Sequence, residues 1–167
     1  MAIAHLIGGH PEEQRLWLRL VPVELELLRS LPTRLRDILL NPERAPAVLD
    51  RLFPPTHTDD AESEAEHRRL LGQTLLECRL DTIKGFEQTL ARVRRRIAFP
   101  EIQLSLPEVD LWLHVINDVR LLLGTQLDIK DNDWRRQPLA ADADVESYCV
   151  LVALSTLQEV MLGAMGG

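Results

Sequence analysis

The segment from Pro107 to Gly124 constrains the fold of this chain more than any other. Val109, Trp112, Ile116, Val119 and Leu123 recur at helical spacing. Leu111, Leu113, Val115, Leu121 and Leu122 widen that apolar stripe until little polar surface remains. A helix that is apolar nearly all round has to be surrounded by other elements. The rest of the chain has the composition to surround it. Leucine accounts for 32 of 167 residues while aromatic residues make up 4%, a balance that favours packed helices over a β-sandwich.

The flanking segments are read in the same way. Ile3–Ile7 and Leu16–Leu20 are short apolar or alternating runs separated by the turn-rich stretch Gly8–Glu13, which predicts a β-hairpin over residues 1–21. Pro22 suits a first helical turn, and Leu25, Leu28, Leu35, Ile38 and Leu39 continue the helix. Pro32 is expected to kink or split it. A short helix over Ala45–Phe53 ends at Pro54-Pro55. Asp59-Asp60 then caps a long helix, expected to break near Gly72 and run to about Ile97. Residues 102–106 supply a strand able to join the hairpin, and residues 126–143 form a polar loop with an exposed Trp134. Asp142 or Asp144 caps a last helix over about 144–164. The expected fold is mainly α: a single-domain bundle of five to six helices over residues 22–167, with residues 1–21 as a hairpin appendage.

Charge and missing motifs narrow the function. The net charge of −7 disfavours non-specific binding of nucleic acid or an anionic membrane by the whole surface. The longest continuous apolar run, Tyr148–Leu154, is well below the ~20 residues of a spanning helix, and no secretory leader is evident. Two distant cysteines, Cys78 and Cys149, make no disulfide framework; each reads as a reduced small hydrophobe in a cytoplasmic protein. No phosphate-binding glycine loop, nucleophile elbow or metal-ligand motif is present, so no cofactor is expected and the chain reads as non-enzymatic.

Some polar residues stand out. Arg79 lies in the middle of an apolar helix face formed by Leu76, Leu80, Ile83, Phe86 and Leu90. A guanidinium there needs a carboxylate or carbonyls opposite it, with Asp60 and Glu66 as the leading carboxylates; binding of an anion such as phosphate is the alternative. Asn117, Arg120 and Gly124 form a narrow stripe on the central helix. They read as a packing device, with Gly124 admitting a neighbouring backbone, or as the lining of a partner groove. Asp118 falls on the opposite side, as a surface charge or ion-pair partner. Arg92, Arg94, Arg95 and Arg96 form the one basic cluster, read as a solvated helix end without interleaved aromatic residues. His57, Asp59, Asp60, Glu64 and His67 are the nearest approach to a metal set, although capping already explains the acids. Gly166-Gly167 reads as a frayed terminus.

Two blocks carry a resemblance. Arg51-Leu52-Phe53-Pro54, Asp59-Asp60, Glu66, Arg68-Arg69, Leu76 and Arg79 form the first. Trp112, Asn117-Asp118-x-Arg120-Leu121, Gly124-Thr125 and Leu127 form the second. Together, over roughly residues 20–165, the chain resembles a bacterial family long catalogued as a domain of unknown function, with studied members described as oxidative-stress regulators (AosR-like). The resemblance implies a mostly helical cytosolic protein that regulates sulfur and redox metabolism through contact with a sigma factor. The Cys-x-x-x-Cys motif on which redox sensing rests in the studied regulator is missing here, so a thiol switch is not implied.

The resulting expectation is a non-enzymatic regulatory or adaptor protein that works by protein–protein contact, with a sigma factor as the implied partner. Homo-oligomerisation is compatible with it. The alternatives are a DNA-binding regulator using Arg92–Arg96, and a helical protein with a small anion- or metal-binding site.

Overall fold

The computed structural model describes residues 1–54, 61–95 and 98–166. Readings that fall on His57, Asp59, Asp60, Arg96 and Gly167, or on the side chains of Glu64, His67 and Arg68, lie outside the described residues. Two strands, β1 (Ile3–Ile7) and β2 (Arg15–Arg19), are followed by helices α1 (Pro22–Leu40), α2 (Pro46–Leu52) and α3 (Ala61–Leu90). Strands β3 (Arg94–Arg95) and β4 (Pro100–Ser105) lead into α4 (Leu106–Gln126) and, after a polar loop, α5 (Val145–Gly166). The mainly α fold is as expected.

The strand at 102–106 is real but shifted: it spans 100–105, because Leu106 already belongs to α4. Ser105 caps that helix, accepting from Glu108 N at 3.4 Å while Glu108 Oε2 accepts from Ser105 N at 2.8 Å. This reciprocal pairing satisfies two donors that a helix start otherwise leaves open. β4 pairs antiparallel with β2, giving a four-stranded sheet in the order β1-β2-β4-β3. Residues therefore line up in rows across it. Leu6–Leu16–Leu104 and Ala4–Leu18–Ile102 face the helices, and His5–Trp17–Gln103 face away. The hairpin is packed into the helical core, with Leu16, Leu18 and Leu20 fully buried in it. Gly8 makes its turn possible. It sits at φ +110°, and a Cβ there would lie 2.7 Å from the Glu13 carbonyl oxygen.

Two other expectations are corrected. Pro32 does not split α1; it is buried inside a continuous helix. Interior proline costs a helix about 3 kcal/mol, but Leu25, Leu28, Leu31, Leu35 and Leu39 are all buried along the same helix, and their packing outweighs it. Gly72 does not break α3, which ends at Leu90 instead of Ile97, so the basic cluster lies in a turn and on β3. Helix α5 is interrupted by Ser155, Thr156 and Gln158 and carries two charges, Glu146 and Glu159. By length and composition it is able to cross a membrane: 22 residues, with mean hydropathy 1.6 over its most apolar stretch, of which 28% is buried.

The central position of α4 is as expected. Trp112, Ile116, Val119 and Leu123 are fully buried. Trp112 packs at 5.1 Å from Phe86 and donates from Nε1 to Thr89 Oγ1 at 2.6 Å. Gly85 is where α3 and α4 come close: a Cβ on it would stand 2.7 Å from Leu111 Cδ1. Helices α1 and α3 are further joined by the two-pronged pair between Arg36 and Glu87. The hydrogen bonds from Arg36 hold the Glu87 carboxyl below its ordinary value of 4.5. A carboxyl depressed by folding stabilises above its unfolded pKa and loses that contribution as pH falls through the folded value. We therefore expect Glu87→Gln to flatten the decline in stability below about pH 4.5, measured by urea midpoints across the acid range. An unchanged slope would show that the pair adds nothing.

Candidate functional site

The polar stripe of α4 opens into a concavity of ≈ 210 Å³. Asn117, Arg120 and Gly124 all line it. Arg51 enters from α2, Leu151 from α5, and the loop after α4 closes the other side with Ile129 and Trp134. Asp128 turns that loop back on α4 with a left-handed φ of +54°, a conformation its short side chain tolerates. Ile129 N then donates to the Gly124 carbonyl at 2.8 Å. The loop is fastened to α5 by Trp134, edge-on to Tyr148 at 5.5 Å, and by Arg135, which pairs with Glu159 at 2.9 Å. Trp134 is thus half-buried, where an exposed residue was expected. Asp144, not Asp142, caps α5, and Ser147 hydrogen bonds hold its carboxyl below the usual range.

Gly124 is buried, yet nothing lies within 4 Å of the position its Cβ would take. This corrects the expectation that it admits a neighbouring backbone; Gly85 has the close contact, and Gly124 leaves space. Arg120 donates from Nε to Ser155 Oγ at 2.9 Å and from Nη1 to Gln158 Oε1. Both acceptors are neutral. Burial, then the nearby Arg135 cation, pulls the guanidinium below its ordinary value, with Glu159 opposing. Asn117 is exposed at the rim.

Arg79 is paired as expected, but with a different carboxylate. Its Nη1 meets Asp118, and its Nη2 donates to the Leu52 carbonyl at 3.0 Å, with Phe53 beneath at 5.3 Å. Glu66 is exposed on α3 and does not pair with Arg79. Asp118 is 7% exposed. It is an ion-pair partner but not a surface charge, because α2 and α3 pack over the side of α4 that periodicity left unassigned.

The basic cluster is dispersed. Arg92 pairs with Glu108 at 2.7 Å, Arg95 approaches Glu26 at 3.7 Å, and Arg94 opposes Glu101 across β3 and β4. No ring interleaves with the cluster in sequence, but the fold brings one to it: Arg92, Arg94 and Trp17 line one concavity of ≈ 240 Å³ on the outer sheet face. Arg19 lies over Trp17 and Phe99, and His5 stacks on Trp17 at 4.7 Å. Among the described residues no group of three or more His, Cys, Asp or Glu is placed to hold a metal ion. Cys78 and Cys149 are free and exposed.

Over residues 8–165 the chain matches a family described as a domain of unknown function. It belongs to the DUF2017 family. No curated protein and no solved structure matches it. In this DUF2017 chain, Arg51, Asn117, Arg120, Leu121 and Gly124 share one cavity, while Leu52, Phe53, Arg79 and Asp118 meet on the other side of α4. Sequence reasoning noted Trp134 as an exposed ring and Arg51 within the first resemblance block but placed neither at the cavity, and it missed Trp17. Arg51 and Trp17 come from distant elements, and only Trp134 had a local signal, as a large ring in a polar loop.

Proposed function

We propose that this DUF2017 protein is a non-enzymatic regulator or adaptor that acts by protein–protein contact, with α5 as the contact element. One observation supports the reading: α5 exposes apolar residues and carries only two charges. Val145 is 60% exposed and Leu162 is 49% exposed, and Cys149 is exposed. Glu146 and Glu159 are the helix's only charged residues. Exposed apolar surface of this kind marks interaction sites. A sigma factor is the partner class we propose, in an oxidative-stress or sulfur-metabolism response, on the strength of the AosR-like resemblance. Cys78 and Cys149 lie too far apart in sequence to make a Cys-x-x-x-Cys motif, so the proposal includes no paired-thiol switch.

Nucleic-acid binding is retained as a second reading because Trp17 stands beside Arg92 and Arg94. Rings interleaved with cations are what single-stranded nucleic acid stacks on. A photo-crosslinking residue placed at Leu162, and separately at Trp17, distinguishes the two in the native cell. We expect a sigma factor to be captured from position 162 and nothing specific from position 17. Nucleic acid captured from position 17 would favour the second reading. Lipid, or no protein, from position 162 would overturn the first.

A further inference from the structure

The cavity under α4 has a composition that packing alone does not require. Its charged donor, Arg120, is half-buried, yet both of its hydrogen-bond acceptors are neutral. A partly desolvated cation is ordinarily matched by a carboxylate. Glu159 acts on Arg120 through charge, but is paired with Arg135 at 2.9 Å. Guanidinium carries five N–H donors, and Arg120 uses two of them on Ser155 and Gln158. Its Nη2 has no partner among the described residues and is not sealed from solvent.

The surroundings add cation and space. Arg51, exposed on α2, makes no ion pair among the described residues and lines the same cavity. Asp131, also in the lining, accepts from Asp133 N at 3.0 Å and from Gln137 Nε2 at 2.9 Å. It is held by its own loop. Leu121, Leu151 and Trp134 supply the apolar part of the lining. Gly124 leaves the floor open where a side chain would fill it. The volume of ≈ 210 Å³ holds one ring-sized body with its charged group, since roughly 150 Å³ admits benzene.

We propose that this cavity binds a small organic anion. Arg120 and Arg51 hold its carboxylate or phosphate group, and Trp134, Leu121 and Leu151 pack its apolar body. Arg120 is suited to a forked contact because its planar donors match the geometry of an oxyanion. The proposal is independent of α5 as a docking element, and the two fail separately.

The chain has three tryptophans, and they make a direct assay. Trp134 lines the cavity, Trp112 is buried in the core, and Trp17 lies by the arginines of the sheet face. We would titrate the full chain with phenyl phosphate, benzoate and inorganic phosphate, following the three indole N–H resonances by NMR. Phenyl phosphate or benzoate should shift Trp134 saturably and leave Trp112 and Trp17 in place. Inorganic phosphate, which has no apolar body, should bind at least about tenfold more weakly, as the loss of a buried ring contact predicts. Arg120→Gln should weaken binding by about tenfold or more, the range for losing a hydrogen bond to a charged group. Because Arg120 also joins α4 to α5, Gly124→Leu gives a second test: it should abolish the shift by filling the floor, with the Trp112 resonance reporting an intact core. The proposal is overturned if Trp134 does not respond at millimolar probe, or if Trp17 responds with the same midpoint. It also fails if inorganic phosphate binds as tightly as the organic anions, or if both variants bind as the parent does.

Discussion

Trp112→Ala should destabilise the protein by about 4 kcal/mol, within the range for truncating a buried aromatic residue. Trp112 is fully buried on the central helix, with Phe86 against its ring. Its loss removes transfer energy and leaves a cavity that the surrounding helices fill only in part. The indole N–H adds a second contribution. It donates to Thr89 Oγ1, which itself donates to the Phe86 carbonyl at 2.7 Å. Thr89→Val keeps the volume but leaves the indole N–H without its acceptor. That should cost about 1–3 kcal/mol, the desolvation penalty of an unpaired buried donor. Urea denaturation separates the two. If Thr89→Val were neutral, the hydrogen bond would carry no net weight and the ring alone would hold α3 to α4.

Asp118→Ala is the other large effect. It leaves Arg79 against Phe53 with only the Leu52 carbonyl as acceptor. Side-chain exposure of 28% for Arg79 and 10% for Asp118 puts the pair toward the buried limit. Breaking such a pair costs about 3–5 kcal/mol, and partial exposure places this one near 3. For a chain of this size that lowers Tm by roughly 6–12 °C. The double variant Arg79→Met with Asp118→Leu removes both charges and should recover most of the loss. A double variant as unstable as Asp118→Ala would mean that the damage is to packing and not to charge.

The two sides of α4 differ in how legible they were. Asn117, Arg120 and Gly124 were recognisable as a stripe because residues three and four apart share a helix face whatever surrounds it. Their cavity was half visible, and its other half was not. Arg51, Leu151 and Trp134 reach it from three further segments, and no periodicity relates them. Arg79 shows the same limit. Its place on an apolar face demanded a carboxylate or carbonyls, and Asp118 and the Leu52 carbonyl both answer. Which acid answers was settled by the crossing of α3 over α4, and Asp118 was there where Glu66 was not.

Local chemistry was enough for the elements themselves. Leucine spacing, Pro22, the Ser105–Glu108 cap and Asp144 set the helices, since periodicity and capping act within a few residues. The alternation of Leu16, Trp17, Leu18 and Arg19 set a strand with one buried face. Whatever depended on neighbours distant in the chain was decided by the tertiary structure. Pro32 stays inside a helix because packing exceeds its local penalty. The residues after Leu90 leave the helix because β4 offers Arg94 and Arg95 a partner strand. Gly85 closes the α3–α4 contact while Gly124 keeps a cavity open, a distinction made by what each faces and not by the residue itself.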